Sequence, residues 1–193
     1  IQALFSCSEK NKENVENVNS NTPEYLYKLA VIELDNKNFD LAQEKFDEIQ
    51  FNFPLSNEAI QSQIMSAFIE YLQMNYETAI LKFDKVINRY PSYVNIDYAY
   101  YMKAMCFYEQ IENESLDGSN NIKALESFNQ IINRYPDSKY ARDSEQKIIL
   151  VNENIAAKHM DIAFFYLNQK KYLAAMKRYQ KVVDKHSESK FTP

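Results

Sequence analysis

One spacing recurs along the chain and limits what it can fold into: an alanine, an aromatic residue four positions later, and a proline eight positions beyond that. Ala42, Phe46 and Pro54 set the pattern, Ala79, Phe83 and Pro91 repeat it, and Ala124, Phe128 and Pro136 repeat it again. A weaker fourth copy keeps Tyr172, Ala175, Tyr179 and Val182 but has Ser187 at the proline position. Residues four apart lie on one face of an α-helix, so the alanine admits a partner helix and the ring fills the gap beyond it. Proline, which cannot continue a helix, closes each segment. Each copy predicts the second helix of a hairpin.

Upstream of every copy lies another stretch with helical apolar periodicity, which supplies the first helix. These stretches hold Leu26, Leu29 and Ala30; Ile60, Ile64 and Ala67; Tyr98, Tyr101 and Ala104; and Ile155, Met160 and Ala163. Proline spacings of 37 and 45 bracket a period of about 34, the length of a tetratricopeptide unit with insertions. The predicted fold is all-α: a tetratricopeptide-repeat superhelical solenoid of helix-turn-helix pairs, right-handed, with first helices lining an inner groove suited to peptides. The repeats fall near residues 23–55, 56–92, 93–137 and 138–188 within a solenoid spanning 23–193, with a further repeat expected beyond it. Glu112 to Asn121 reads as a polar loop inserted in the third unit.

Function classes narrow next. The chain of 193 residues has one glycine, Gly118, too few for a phosphate cradle, a dinucleotide turn or a nucleophile elbow, each of which needs several. The rest of the chain is expected to manage its turns with Asn and Pro at repeat boundaries. A net charge of −5 without a dense Lys/Arg cluster suits nucleic acid poorly. The two histidines, His159 and His186, sit in no metal-binding motif, so no metal, no cofactor and no catalysis are expected. Cys106 lies in an apolar run and reads as a small buried hydrophobe. Residues 1–6 read as the end of a signal peptide, and Leu4-Phe5-Ser6-Cys7 resembles a bacterial lipobox that would place a covalent lipid on Cys7. Residues 7–22 form the lipidated cysteine and a polar tether, of which the flexible part spans about 20 Å as a coil.

The lipobox-like cysteine, the tether and the repeats, with Asn95-Ile96-Asp97-Tyr98 and Tyr101-Met102 opening the third unit, resemble the BamD family of outer-membrane-protein assembly lipoproteins. Support continues in Arg134-Tyr135-Pro136-Asp137-Ser138-Lys139-Tyr140-Ala141, in His159 to Tyr166 and in Tyr172 to Tyr179. The resemblance covers nearly the whole chain. It marks Asn95, Asp97, Tyr98 and Tyr101 as a structural signature. It implies a non-enzymatic lipoprotein of a Gram-negative bacterium, anchored by its lipid on the periplasmic face of the outer membrane. The partners it implies are a periplasmic domain of the barrel subunit BamA, other lipoproteins of the complex and unfolded outer-membrane β-barrel proteins. By position, Arg178 matches an arginine at the BamA contact; read from its own residue type it is an exposed helix arginine in an i,i+4 pair. The N-terminal repeats are implied to receive substrate, which makes Tyr25, Tyr27, Ile64, Phe68 and Tyr71 groove candidates, with core packing as their other reading. The alternative function is a periplasmic tetratricopeptide scaffold lipoprotein for peptidoglycan or protease machinery.

Overall fold

The computed structural model of the chain describes residues 21–111 and 119–191. Among them are eight helices: α1 (Pro23–Asp35), α2 (Phe39–Asn52), α3 (Asn57–Leu72), α4 (Tyr76–Arg89), α5 (Ile96–Glu109), α6 (Ser119–Arg134), α7 (Lys139–Asn168) and α8 (Tyr172–Lys185). Cys7 and its tether up to residue 20, and Gly118, lie outside the described residues. The contacts divide the chain into two compact units, residues 1–59 and 60–193, with α3 beginning at the end of the first.

In the first unit, Thr22 caps α1 by accepting the Tyr25 N–H on Oγ1 at 3.3 Å, and Pro23 stands in the first turn, where its missing N–H costs no helix bond. Leu26, Ala30 and Leu34 face Ala42, Phe46 and Ile49 of α2. The alanine and the ring of the repeat are both fully enclosed, and Tyr27 sets its ring 5.6 Å from that of Phe46.

The second unit repeats this arrangement. Ala79, Phe83 and Val86 of α4, and Ala124, Phe128 and Ile131 of α6, are buried in one continuous cluster with Ile64, Ala67, Ala99 and Ala104. Each helix from α4 onward packs on the next in sequence, and α5 also packs on α7, so first helices of consecutive pairs meet as stacked hairpins require. Two half-buried ion pairs join neighbours, Lys82 to Glu70 of α3 and Lys103 to Asp84 of α4, each at 2.6 Å. The Lys82 bond holds the Glu70 carboxyl below its ordinary value, against the opposing effect of burial.

The tight turns inside the pairs are made without glycine. Lys37, Met74 and Lys170 take positive φ of 62°, 64° and 59°. Each follows its helix with the two crossed bonds of a Schellman motif, as where Asn38 N–H reaches Glu33 O and Lys37 N–H reaches Leu34 O, both at 2.9 Å. Asn38 and Asn75 follow the left-handed residue and donate side-chain bonds to Glu33 and Glu70. The expected use of Asn and Pro concerns the repeat boundaries, where Pro54, Pro91 and Pro136 stand next to the turns that follow α2, α4 and α6; inside the pairs, lysine and methionine hold the left-handed position and asparagine buttresses it.

Three features depart from the sequence reading. The inserted polar loop is shorter than Glu112 to Asn121, because α6 starts at Ser119 and buries Asn120 and Asn121 in its first turn. α7 runs for 30 residues, its first half reaching back to Tyr140 and Ala141 in the core of the third pair. The fourth unit turns as the others do despite lacking proline: His186 adopts φ −135°, ψ 43°, close to −130°, 55° at Tyr90. The same backbone bond follows, Ser189 N–H to His186 O.

Candidate peptide-binding surfaces

The signature residues meet at the junction of the third and fourth pairs. Ser138 caps α7 by accepting the Tyr140 N–H at 3.1 Å, and its own hydroxyl donates to Asp97 Oδ2 at 2.6 Å. Asp97 also accepts the Tyr98 N–H, so one carboxylate ties the start of α5 to the start of α7. Tyr98 and Tyr101 set their rings 5.4 and 5.0 Å from that of Tyr140, and the Tyr101 hydroxyl donates to Asp143. Asn95 occupies the N-cap position of α5 without a side-chain bond to the helix.

These rings extend a ladder along α3, α5 and α7. Phe68 stacks on Tyr71 at 6.0 Å and meets Tyr98 at 6.3 Å, and Tyr98 and Tyr101 both reach Tyr140. All five rings are half-buried, each with one flank in the core and part of its surface open. Tyr71 donates its hydroxyl to Glu109 at 3.2 Å, and burial, with the carboxylate second, raises its pKa. Of the groove candidates, Phe68 and Tyr71 lie on this ladder, while Tyr25 and Tyr27 are half-buried on α1 in the first unit. Ile64 is corrected: it is 3 % exposed inside the core cluster and offers no side chain to a ligand. The sequence reading missed Tyr140 as a ladder member and took Tyr98 and Tyr101 as structural alone. The signal was present as ring pairs three residues apart, 68 with 71 and 98 with 101.

Arg178 sits in a different setting. It is half-buried and lines a cavity of about 580 Å³ between α6, α7 and α8. Its Nη1 lies 3.4 Å from His159 Nδ1, the neutral ring nitrogen serving as acceptor. No carboxylate pairs with it among the described residues, because residues 162–183 contain no Asp or Glu while holding Lys170, Lys171, Lys177, Arg178 and Lys181. The i,i+4 ion-pair reading of Arg178 is thereby corrected. Burial first, and then the nearby cations Arg178, Lys181, His186 and Lys158, push the His159 pKa below its ordinary value. Ile155, Ile162 and Phe165 form apolar walls, and Ile122 stands exposed at the rim. Asn121 also lines the cavity, 6 % exposed, with an Oδ1 that has no partner. Cys106 is buried, chiefly by which its thiol is pushed up to about 12, so it offers no thiolate at neutral pH. No described helix is long and apolar enough to cross a membrane.

The family model for YfiO, outer membrane lipoprotein, matches residues 19–193. The chain belongs to this family. Relatives described as outer membrane protein assembly factor BamD bear out the resemblance read from the sequence. One from Rickettsia prowazekii is 37 % identical over 83 % of this chain and 64 % of its own length. One from Caulobacter vibrioides is 32 % identical over 99 % of this chain and 63 % of its own. The chain thus spans a little under two thirds of the length of these relatives. Among solved structures, MamA from Desulfovibrio magneticus RS-1 aligns with a TM-score of 0.45 at 15 % identity, covering 89 % of this chain and 80 % of that one.

Proposed function

We propose that this chain is a lipid-anchored subunit of the machinery that assembles β-barrel proteins into the outer membrane, acting by binding other polypeptides and carrying no catalysis. The family match over residues 19–193 carries this reading. In it, Cys7 bears the lipid that holds the protein at the periplasmic face of the outer membrane. The fourth pair, around Arg178, binds the periplasmic region of BamA, and the half-exposed rings of the first helices contact unfolded barrel substrates. The acid-free run of residues 162–183 supports the BamA contact, because a half-buried guanidinium without a carboxylate of its own is available to one on a partner. The aromatic ladder supports the substrate contact, since half-exposed rings give apolar area at low entropic cost.

The test is purification of the tagged protein from membranes, with mass spectrometry of Cys7 and of the retained partners. Acylated Cys7 together with BamA is the expected result. An unmodified cysteine, or retention of peptidoglycan or protease components in place of BamA, overturns the reading.

A further inference from the structure

The cavity between α6, α7 and α8 carries three linings that a contact between protein surfaces leaves unexplained. The first is an apolar strip. Ile155, Ile162 and Phe165 fall on one face of α7 and border about 580 Å³ of space, with Ile122 exposed at the rim. Ile155 to Ile162 is a rise of about 10 Å, two helical turns. A single amino-acid side chain does not cover that length, whereas an extended acyl chain lying along the helix does. The second lining is Asn121, 6 % exposed, whose Oδ1 has no donor; a buried amide oxygen in this state gains from a ligand N–H or O–H. The third is the half-buried Arg178. One of its N–H groups faces His159 Nδ1 at 3.4 Å, which leaves other donors of its fork for an anion, and no carboxylate is among the residues lining the cavity.

We propose that this cavity binds an acyl-chain amphiphile whose anionic head carries its own N–H donor, the head of a phosphoethanolamine lipid being the form that meets all three linings. The phosphate lies against the Arg178 guanidinium, the ammonium donates to Asn121 Oδ1, and one acyl chain follows the strip from Ile155 to Phe165. Related ligands answer fewer walls. An ionised fatty acid has no donor for Asn121, a choline head carries methyl groups where the N–H must be, and a water-soluble phosphate ester leaves the apolar strip uncovered. The proposal goes beyond the assembly reading and does not rest on it. Because both draw on Arg178, an amphiphile in the cavity would compete with BamA for that side chain.

The test is calorimetric titration of the full chain with lauroyl lysophosphatidylethanolamine, lauroyl lysophosphatidylcholine and free phosphoethanolamine, the lysolipids kept below the concentrations at which they form micelles. The ethanolamine lysolipid is expected to bind at least about tenfold more tightly than either of the others. Asn121→Leu is expected to abolish the preference for ethanolamine over choline, and Arg178→Gln to weaken both lysolipids while keeping their ratio, each variant being checked for helicity and melting temperature. Equal affinity for the two lysolipids marks uptake by apolar surface alone and overturns the proposal in the wild-type chain, whatever the variants do. Free phosphoethanolamine binding as tightly as its lysolipid, or an undiminished preference in folded Asn121→Leu, overturns it as well. If the lysolipids fail while BamA is still retained from membranes, the cavity assignment falls and the assembly reading stands.

Discussion

Lys37, Met74 and Lys170 hold a left-handed backbone that glycine adopts without a steric penalty, and their side chains are exposed. Replacing any one by Gly should therefore relieve strain without losing packing. A gain of about 0.5–1 kcal/mol per site is expected in urea unfolding, and a loss would show that the side chain contributes where no contact is seen. Titration gives a second test. His159 and His186 both have lowered pKa values, through burial first and then neighbouring cations. The unfolded chain takes up protons before the folded one as pH falls. The stability these neutral rings contribute is complete well above the ordinary histidine value of about 6.5 and is lost as pH drops through it. The urea midpoint should fall between pH 7.5 and pH 5.5, and less steeply in His159→Gln; identical slopes would remove His159 from this account.

At the scale of the helix, the Ala, aromatic and Pro spacing was readable because the demand behind it is volumetric. Ala79 and Phe83 are wholly enclosed, and few other pairs allow the same close approach and fill the same gap. The length of α7 was hidden for an equally physical reason. Its buried stripe passes from Ala141 through Ser144 to Val151, and the polar Ser144 interrupts the apolar period while meeting its own hydrogen-bonding need on Tyr140 O at 2.7 Å. Asn120 and Asn121 concealed the start of α6 likewise, since two buried amides look like a loop. The cavity was hidden as well: Arg178 could be singled out by position, but its walls come from three helices, and sequence spacing says nothing of Asn121 beside it. The joint made by Ser138 can be measured. Ser138→Ala removes a helix cap and the donor to Asp97 together, and should cost about 1–2 kcal/mol. Paired with Asp97→Ala, the losses should be clearly less than additive; simple additivity would mean that the two side chains act separately.

At the scale of the whole molecule, the proposed function is that of a protein that works through surfaces. One glycine in 193 residues leaves no room for the loops that bind nucleotides or present nucleophiles, and the turns are closed by residues that tolerate the left-handed conformation at some loss. What the helices leave available is a ladder of half-exposed rings and a cation-lined cavity without a carboxylate of its own. In an acidic chain, the acid-free stretch around that cavity is the feature a charged partner would find first. The central claim is that Arg178 belongs to a protein contact. The direct measurement is retention of the BamA periplasmic region by the wild-type chain and by Arg178→Glu, with circular dichroism and melting temperature recorded for both. Loss of at least about tenfold in affinity with an unchanged fold is the predicted result; equal retention by the two folded proteins would contradict it.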